Sequence, residues 1–352
     1  MSAPSNTALS HTERLRSADA FRDWFATLRR IHSVAGLVVI GLVSIVFSVA
    51  FEPGPAFQLA VAATLILLLS LPHAVLDQYS AFVALKPLMG GLWPIGFLSI
   101  YGGCTILALL LWVHAPAFAA ALFLGLAALH YGLADLADRG VMRALELVAR
   151  GFAPFALALL FNPEPVAALV GWLILDLQAG GAFVHDVALP AAMVWQVVWA
   201  LVVARQLYLA MARSQWRPAL VAAEMSMQVL AFATLPPLIA FMLFATLMHA
   251  PRHVFDFARR NPWLGDPPRA LLRVIRATVV PTALAVGGMA AAGYWALGAP
   301  ATDTQLVRMA IWLLTAFAAP HAVLTFLALR RFGGLIETEA PGSATAESSI
   351  TR

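Results

Sequence analysis

The chain has 352 residues, of which 61% are hydrophobic and only 11% are charged. Soluble globular domains carry about 25% charged residues, so this composition excludes that class and indicates an integral membrane protein. The net charge of +4 comes from arginines scattered among the connecting segments, with Lys86 as the single lysine, and without a long basic block it excludes a nucleic-acid partner.

Residues 1–30 are polar and basic and lack a secretory signal, so they predict a cytoplasmic tail. Apolar runs near the length of about 20 residues that crosses a bilayer then follow within residues 31–331. They predict an all-α, polytopic membrane helix bundle with about ten transmembrane helices, followed by a disordered cytoplasmic tail at 332–352. The predicted spans are 31–51, 56–76, 92–113, 117–137, 147–161, 189–211, 219–233, 235–255, 272–297 and 306–329.

Two places leave alternatives open. The fifth span is short, and the apolar stretch 166–175 that follows it is predicted to be re-entrant or interfacial. The seventh and eighth spans are separated only by Leu235-Pro236-Pro237, so they are either two helices or one kinked helix. The Leu-Lys-Pro segment around Lys86 is predicted to be a short loop.

The distribution of arginine predicts the orientation, because loops rich in Arg and Lys stay in the cytoplasm. Five arginines precede the first span, and every later loop that carries Arg or Lys falls on the same side when the ten spans are counted forward. We therefore expect a multi-pass membrane protein with both termini in the cytoplasm.

Histidines recur near the cytoplasmic ends of several predicted spans. His73 lies late in the second span, His130 late in the fourth, and His249 and His253 late in the eighth, while His321 lies in the second half of the tenth. All of these spans run from outside to inside, so the five histidines are predicted to lie at a similar depth. Ionisable side chains are costly inside a membrane and mark function there.

The spacing of the histidines predicts metal binding. His249 and His253 are four residues apart, so on a helix they share a face and can bind one ion together. Neutral imidazole suits iron, zinc, copper and nickel. One metal ion held by about four imidazoles fits the sequence better than a di-iron centre, which needs more histidines or carboxylates.

Three carboxylates accompany the histidines and are predicted to lie in the second coordination shell. Asp77 follows His73 by four residues and is expected to orient its imidazole. Asp135 follows His130 by five residues and Asp256 follows His253 by three, within reach of similar hydrogen bonds. His321 is assigned to this outer group, although a plain hydrogen bond to a neighbouring helix is an equal alternative.

Three stretches carry a resemblance to a known family. Residues 72–77 read Pro-His-Ala-Val-Leu-Asp, residues 130–135 read His-Tyr-Gly-Leu-Ala-Asp, and residues 249–253 read His-Ala-Pro-Arg-His. Together with Pro320-His321 they resemble the Brp/Blh family of bacterial and archaeal membrane β-carotene 15,15′-dioxygenases, with Ala74 in place of a family glycine. The resemblance extends over roughly residues 30–330.

The resemblance implies a helical membrane enzyme that holds one non-haem Fe(II). With O2 it would split the central double bond of β-carotene, or of a related carotenoid, into two retinals. Its apolar substrate would come from the lipid bilayer. Carried over residue by residue, the iron ligands and catalytic residues would be His73, His130, His249 and His253.

Two other classes of function stay open from the residues alone. In a membrane haem protein for electron transfer, histidines on facing helices would be axial ligands, but the close His249/His253 pair would have no role. A transporter or a non-catalytic carotenoid-binding protein fits the proline break at Pro236-Pro237, although no internal repeat is visible. A rhodopsin-type Schiff base is excluded, because the only lysine, Lys86, lies in a predicted loop.

Overall fold

The computed structural model describes residues 11–50, 53–65, 76–136, 142–260, 266–297 and 302–337. Within these ranges the chain forms helices and no strands, which confirms the all-α fold class. The helices are α1 (His11–Ala50), α2 (Pro55–Leu65), α3 (Asp77–Met89), α4 (Trp93–His114), α5 (Pro116–Asp135), α6 (Met142–Gly151), α7 (Ala153–Phe161), α8 (Pro163–Ile174), α9 (Leu177–Ala212), α10 (Trp216–Thr234), α11 (Pro237–Arg260), α12 (Pro267–Leu297) and α13 (Asp303–Glu337).

Seven helical segments of the described part are long and apolar enough to cross a membrane, with α3 and α4 counted together. An eighth results if α6 and α7, which meet at 51°, form one broken span. The multi-pass helical architecture is therefore confirmed, whereas the count of ten is not. The predicted span 56–76 runs beyond α2 into residues outside the described ranges, and the span 219–233 corresponds to α10, which is not among the seven.

The first and last described helices extend into the predicted tails. Helix α1 begins at His11, well before the expected start of the membrane domain at residue 31, and α13 continues to Glu337, past its expected end at 331. The stretch 166–175 largely coincides with α8, a short apolar helix. The rest of the predicted C-terminal tail lies outside the described residues.

The proline pair separates two helices instead of kinking one. Helix α10 ends at Thr234, and α11 begins at Pro237, because proline has no backbone N–H to continue the ladder but is well tolerated in a first helical turn. The Asn162 side chain donates a hydrogen bond to the Phe232 carbonyl at 3.0 Å. It thereby satisfies one of the carbonyls left over at the C-terminus of α10.

The predicted loop at Lys86 is wrong, so the exclusion of a Schiff base on the ground of a loop position does not hold. Lys86 lies in the last turn of α3, with Pro87 inside the same helix, and its ammonium group stands 4.4 Å from the centre of the Phe82 ring. A cation–π contact of this kind stabilises a helical lysine one turn after an aromatic residue. The chain leaves the helix only at Gly90, whose φ of 56° lies in the left-handed region that favours glycine.

Helix α11 is the central helix of the described bundle. Of its apolar window, 61% is buried inside the protein, compared with 17–28% for the other six spanning segments. Ile239, Leu243 and Phe244 of α11 pack in the largest buried cluster with Trp195 of α9 and Phe232 of α10. Most side chains in the apolar window of α11 are therefore enclosed by protein, whereas most of those in the other spans lie at the surface of the bundle.

Glycine allows a close crossing of α5 and α6. A Cβ atom added to Gly132 would come within 2.7 Å of the Leu147 carbonyl oxygen, and one added to Gly151 would collide with the Ala128 carbonyl. Both positions therefore need glycine, as is common where membrane helices approach closely. The crossing fixes α5 on either side of His130.

Candidate metal centre and apolar cavity

Four histidines from three helices converge inside the bundle. His130 comes from α5, His249 and His253 from α11, and His321 from α13. The ring centroid of His130 lies 4.8 Å from those of both His249 and His321 and 5.9 Å from that of His253, while the centroids of His253 and His321 are 5.4 Å apart. We call these four residues the histidine cluster.

The fifth histidine of the sequence analysis, His73, lies in the segment 66–75, outside the described residues. Its assignment as a ligand stays a prediction. Asp77 opens α3 four residues later, and it reaches the cluster: His321 Nδ1 donates a hydrogen bond to Asp77 Oδ1 over 2.6 Å, with both side chains buried. This bond fixes the orientation of the His321 ring.

The other two carboxylates are placed differently. Asp256 accepts hydrogen bonds from Arg29 of α1 at 3.1 Å and from Arg259 at 3.4 Å, so its described partners are arginines and not His253. Asp135 is the last residue of α5, and its side chain lies outside the described part.

A π-helical turn ends at the first histidine of the α11 pair. It covers Phe244–His249, and the buried Thr246 hydroxyl donates to the Met242 carbonyl at 2.6 Å inside it. Such turns insert one extra residue and rotate everything that follows, and they are frequent at functional sites. The turn ends at His249, so the orientation of both histidines around the helix axis depends on it.

The cluster lies at one end of an apolar cavity of about 120 Å³ between α4, α5, α11 and α13. His130, His249 and His321 line it. Along α5 the wall runs from Ala119 through Leu122, Phe123, Leu126 and Ala127 to His130, one residue or two from each turn. Eleven steps of helical rise separate Ala119 from His130, about 17 Å along the axis, so the cavity extends well away from the histidines.

Aromatic rings form the wall beside His249. The ring of Tyr131 stands 4.7 Å from that of His249, edge to face, and 5.4 Å from that of Phe244. Phe241 packs against Tyr131 and Phe155 and lines the same cavity. These residues were not identified from the sequence, because apolar residues at helical spacing are equally typical of any lipid-facing or buried helix.

Imidazole, the donor group of the histidine cluster, suits iron as well as zinc, copper and nickel. His130 Nε2 and His249 Nε2 are 2.9 Å apart, which is a hydrogen-bond distance. Among the described residues, however, no three His, Cys, Asp or Glu side chains already form a set that would hold an ion.

A second polar group lies on another flank of α11. Glu224 of α10 pairs there with Arg150 of α6 and with Arg252 of α11. Arg150 also binds Glu146 at 3.2 Å. The sequence signal for the unanticipated pair was the four-residue spacing of Glu146 and Arg150 at the start of an apolar run.

Comparison with known proteins agrees with this site. A family model described as "Beta-carotene 15,15'-dioxygenase" matches residues 63–327, which include the whole histidine cluster. The chain is also 26% identical over 341 residues to a protein of Halobacterium salinarum named "Probable beta-carotene 15,15'-dioxygenase Blh", covering 86% of this chain and 93% of that one. No solved structure matches the chain.

Proposed function

Because the chain belongs to the beta-carotene 15,15'-dioxygenase family, we propose that it cleaves the central double bond of β-carotene, or of a closely related carotenoid, with O2. The bond between the two central carbons breaks, each carbon receives one oxygen atom, and two molecules of retinal leave. The observation that best supports this proposal is a cluster of imidazoles at the end of an apolar cavity.

The proposed cofactor is one non-haem Fe(II), with His73, His130, His249 and His253 as its ligands. When bound, the iron supplies the one-electron chemistry that lets O2 react with a polyene. His321, held by Asp77, is proposed to support the ligand set from the second shell. Burial of Asp77 and His321 keeps this support away from water.

The chain itself selects and orients the substrate. A carotenoid is an apolar rod, and the cavity wall along α5 offers it small or apolar side chains over about 17 Å. Leu122, one of the wall residues, is 41% exposed, which supports an entrance for the substrate on this side of the bundle. Substrate can thus enter from the bilayer, while the aromatic wall of Tyr131 and Phe241 excludes water from the reacting bond.

We further propose that the protein lies in the bacterial cytoplasmic membrane with both termini inside. Arg22, Arg29 and Arg30 stand in the N-terminal part of α1, and Arg259 and Arg260 end α11. Arginines in the first half of α1 and at the end of α11 fit the cytoplasmic surface. The histidine cluster would then lie in the cytoplasmic half of the bundle.

The first experiment is expression in a bacterium that accumulates β-carotene, with pigments separated by chromatography and iron measured in the purified protein. Wild type should deplete β-carotene and produce retinal. His130→Ala should lose both iron and cleavage while inserting normally, whereas His114→Ala, at the exposed end of α4, should behave as wild type.

Three outcomes would contradict the proposal. Unchanged β-carotene in well-expressed, iron-loaded membranes would overturn the substrate. Wild-type iron content in His130→Ala would overturn the ligand assignment, and a haem absorption band in the purified protein would favour electron transfer instead.

A further inference from the structure

A buried network of four charged residues joins α11 to two neighbouring helices. Glu224 of α10 accepts a hydrogen bond from Arg150 of α6 at 3.2 Å and a second one from Arg252 of α11. Arg150 also donates to Glu146 at 3.2 Å, and the charges of these four residues sum to zero. All four side chains are buried. We call this set the charge network.

Both oxygens of the Glu224 carboxylate are engaged by different arginines. Oε1 receives Arg252 and Oε2 receives Arg150, so the carboxylate cannot rotate without breaking one of the two bonds. Arg252 also donates to the Ser33 hydroxyl of α1 at 2.8 Å. The planar guanidinium of Arg252 is thereby held by α10 and α1 together, in a fixed direction from the axis of α11.

Arg252 lies between the two histidines of α11. It follows His249 by three residues and directly precedes His253, so its anchor acts within one helical turn of both rings. The π-helical turn just before it, Phe244–His249, is a place where the rotation of the following segment is not set by regular α-helical geometry. The hydrogen bonds of Arg252 to α10 and α1 fix this rotation from outside the helix.

We infer that Glu224 and Arg252 are positioning residues, which fix the rotation of α11 and so aim His249 and His253 at His130. This inference rests on the proposed metal centre. Neither residue is catalytic, since Arg252 points to α1 and α10, and the small void beside the charge network is lined by Arg150, Glu224 and Arg252 but by none of the cluster histidines.

Plain helix–helix adhesion is the alternative, and Arg150 provides the matched control. Arg252→Gln and Arg150→Gln each remove one positive charge and one Glu224 contact from the same network, but only Arg252 is attached to the histidine helix. The two variants and wild type are purified in detergent. Their folded fraction, their retention of Fe(II) against a chelator and the hydrogen exchange of α11 amides in metal-free protein are compared.

Positioning predicts an asymmetric result. Arg252→Gln should lower iron affinity by about 10- to 100-fold, the range typical for loss of an outer-shell partner, and should speed exchange in the segment around His249 and His253. Arg150→Gln should keep iron affinity within about twofold of wild type, since its helix carries no ligand. Equal losses in both variants, in proportion to their instability, would overturn the inference.

Two further readouts keep the result decisive. Should Arg252→Gln fail to fold, Arg252→Lys and Arg150→Lys are compared in the same way, because lysine keeps the charge but loses the forked geometry. If both Arg252 variants fail to fold while the Arg150 variants do not, the network holds the fold and the inference is wrong. If wild type binds no iron, the proposed metal centre fails, but the exchange measurement still decides whether Arg252 orders α11.

Discussion

The two polar groups that flank α11, the histidine cluster and the charge network, differ in the space that lies beside them. The histidine cluster lies beside a cavity of about 120 Å³, whereas the void beside the charge network is only about 20 Å³. The cluster thus has room for a ligand, and the network has room for little more than one water molecule. Buried polar residues with space beside them indicate chemistry, and those packed against opposite charges indicate architecture.

The largest predicted effect on stability comes from removing the Glu224 carboxylate of the charge network. Glu224→Ala leaves Arg150 and Arg252 without their shared partner in a buried site, where loss of one member of an ion pair costs about 3–5 kcal/mol. We expect this loss in the free energy of unfolding in detergent. His130→Ala should cost much less stability although it abolishes function. A Glu224→Ala protein as stable as wild type would show that the network does not support the fold.

The helix crossing beside His130 gives the next largest effect. Gly132→Ala would place a Cβ atom 2.7 Å from the Leu147 carbonyl oxygen, so α5 and α6 must move apart, at about 1–3 kcal/mol. Gly125→Ala on the same helix is the matched control, because a Cβ there meets nothing within 4 Å. Thermal unfolding should separate the two variants. Equal melting temperatures would mean that the crossing tolerates the extra atom.

The cavity can be tested without touching a histidine. Ala127 lines the wall one turn before His130, so Ala127→Phe should obstruct the substrate and reduce carotenoid cleavage by about tenfold, or about 1.4 kcal/mol in the barrier. Iron content should remain at the wild-type level. Ala121→Phe on the exposed side of α5 should leave cleavage unchanged. A similar loss of cleavage in both variants would argue against this cavity as the substrate site.

How far the sequence predicted this molecule depends on the kind of signal. The long apolar runs and the convergence of His130, His249, His253 and His321 were readable from the sequence. The number of spans was not, since α10 is not among the seven spanning segments and α6 and α7 form a bent pair. Periodicity in an apolar helix does not distinguish lipid from a cavity wall, so the cavity needed the three-dimensional structure.

Partners of individual carboxylates were the least predictable feature. Spacing along one helix placed Asp77 with His73 and Asp256 with His253, but the observed partners include His321 and Arg29, which are more than 200 residues away. Local spacing finds only neighbours on the same helix. A bundle offers each carboxylate several other helices, and burial then favours whichever cation or imidazole neutralises it best.

The smallest predicted effect is at Asp256. It tests directly whether spacing along one helix identifies the partner of a carboxylate. Its bonds to Arg29 and Arg259 are partly exposed, so Asp256→Asn should cost less than about 1 kcal/mol of stability, as for other partly solvated ion pairs. Iron content and cleavage should stay at wild-type levels, because no described contact joins Asp256 to the cluster. Asp77→Asn, by contrast, replaces the carboxylate that accepts the buried His321 hydrogen bond with a neutral amide, which is a weaker acceptor, and should weaken iron retention. If Asp256→Asn lost iron as strongly as Asp77→Asn, then Asp256 would act on His253 after all, and the same-helix spacing would have been the better guide.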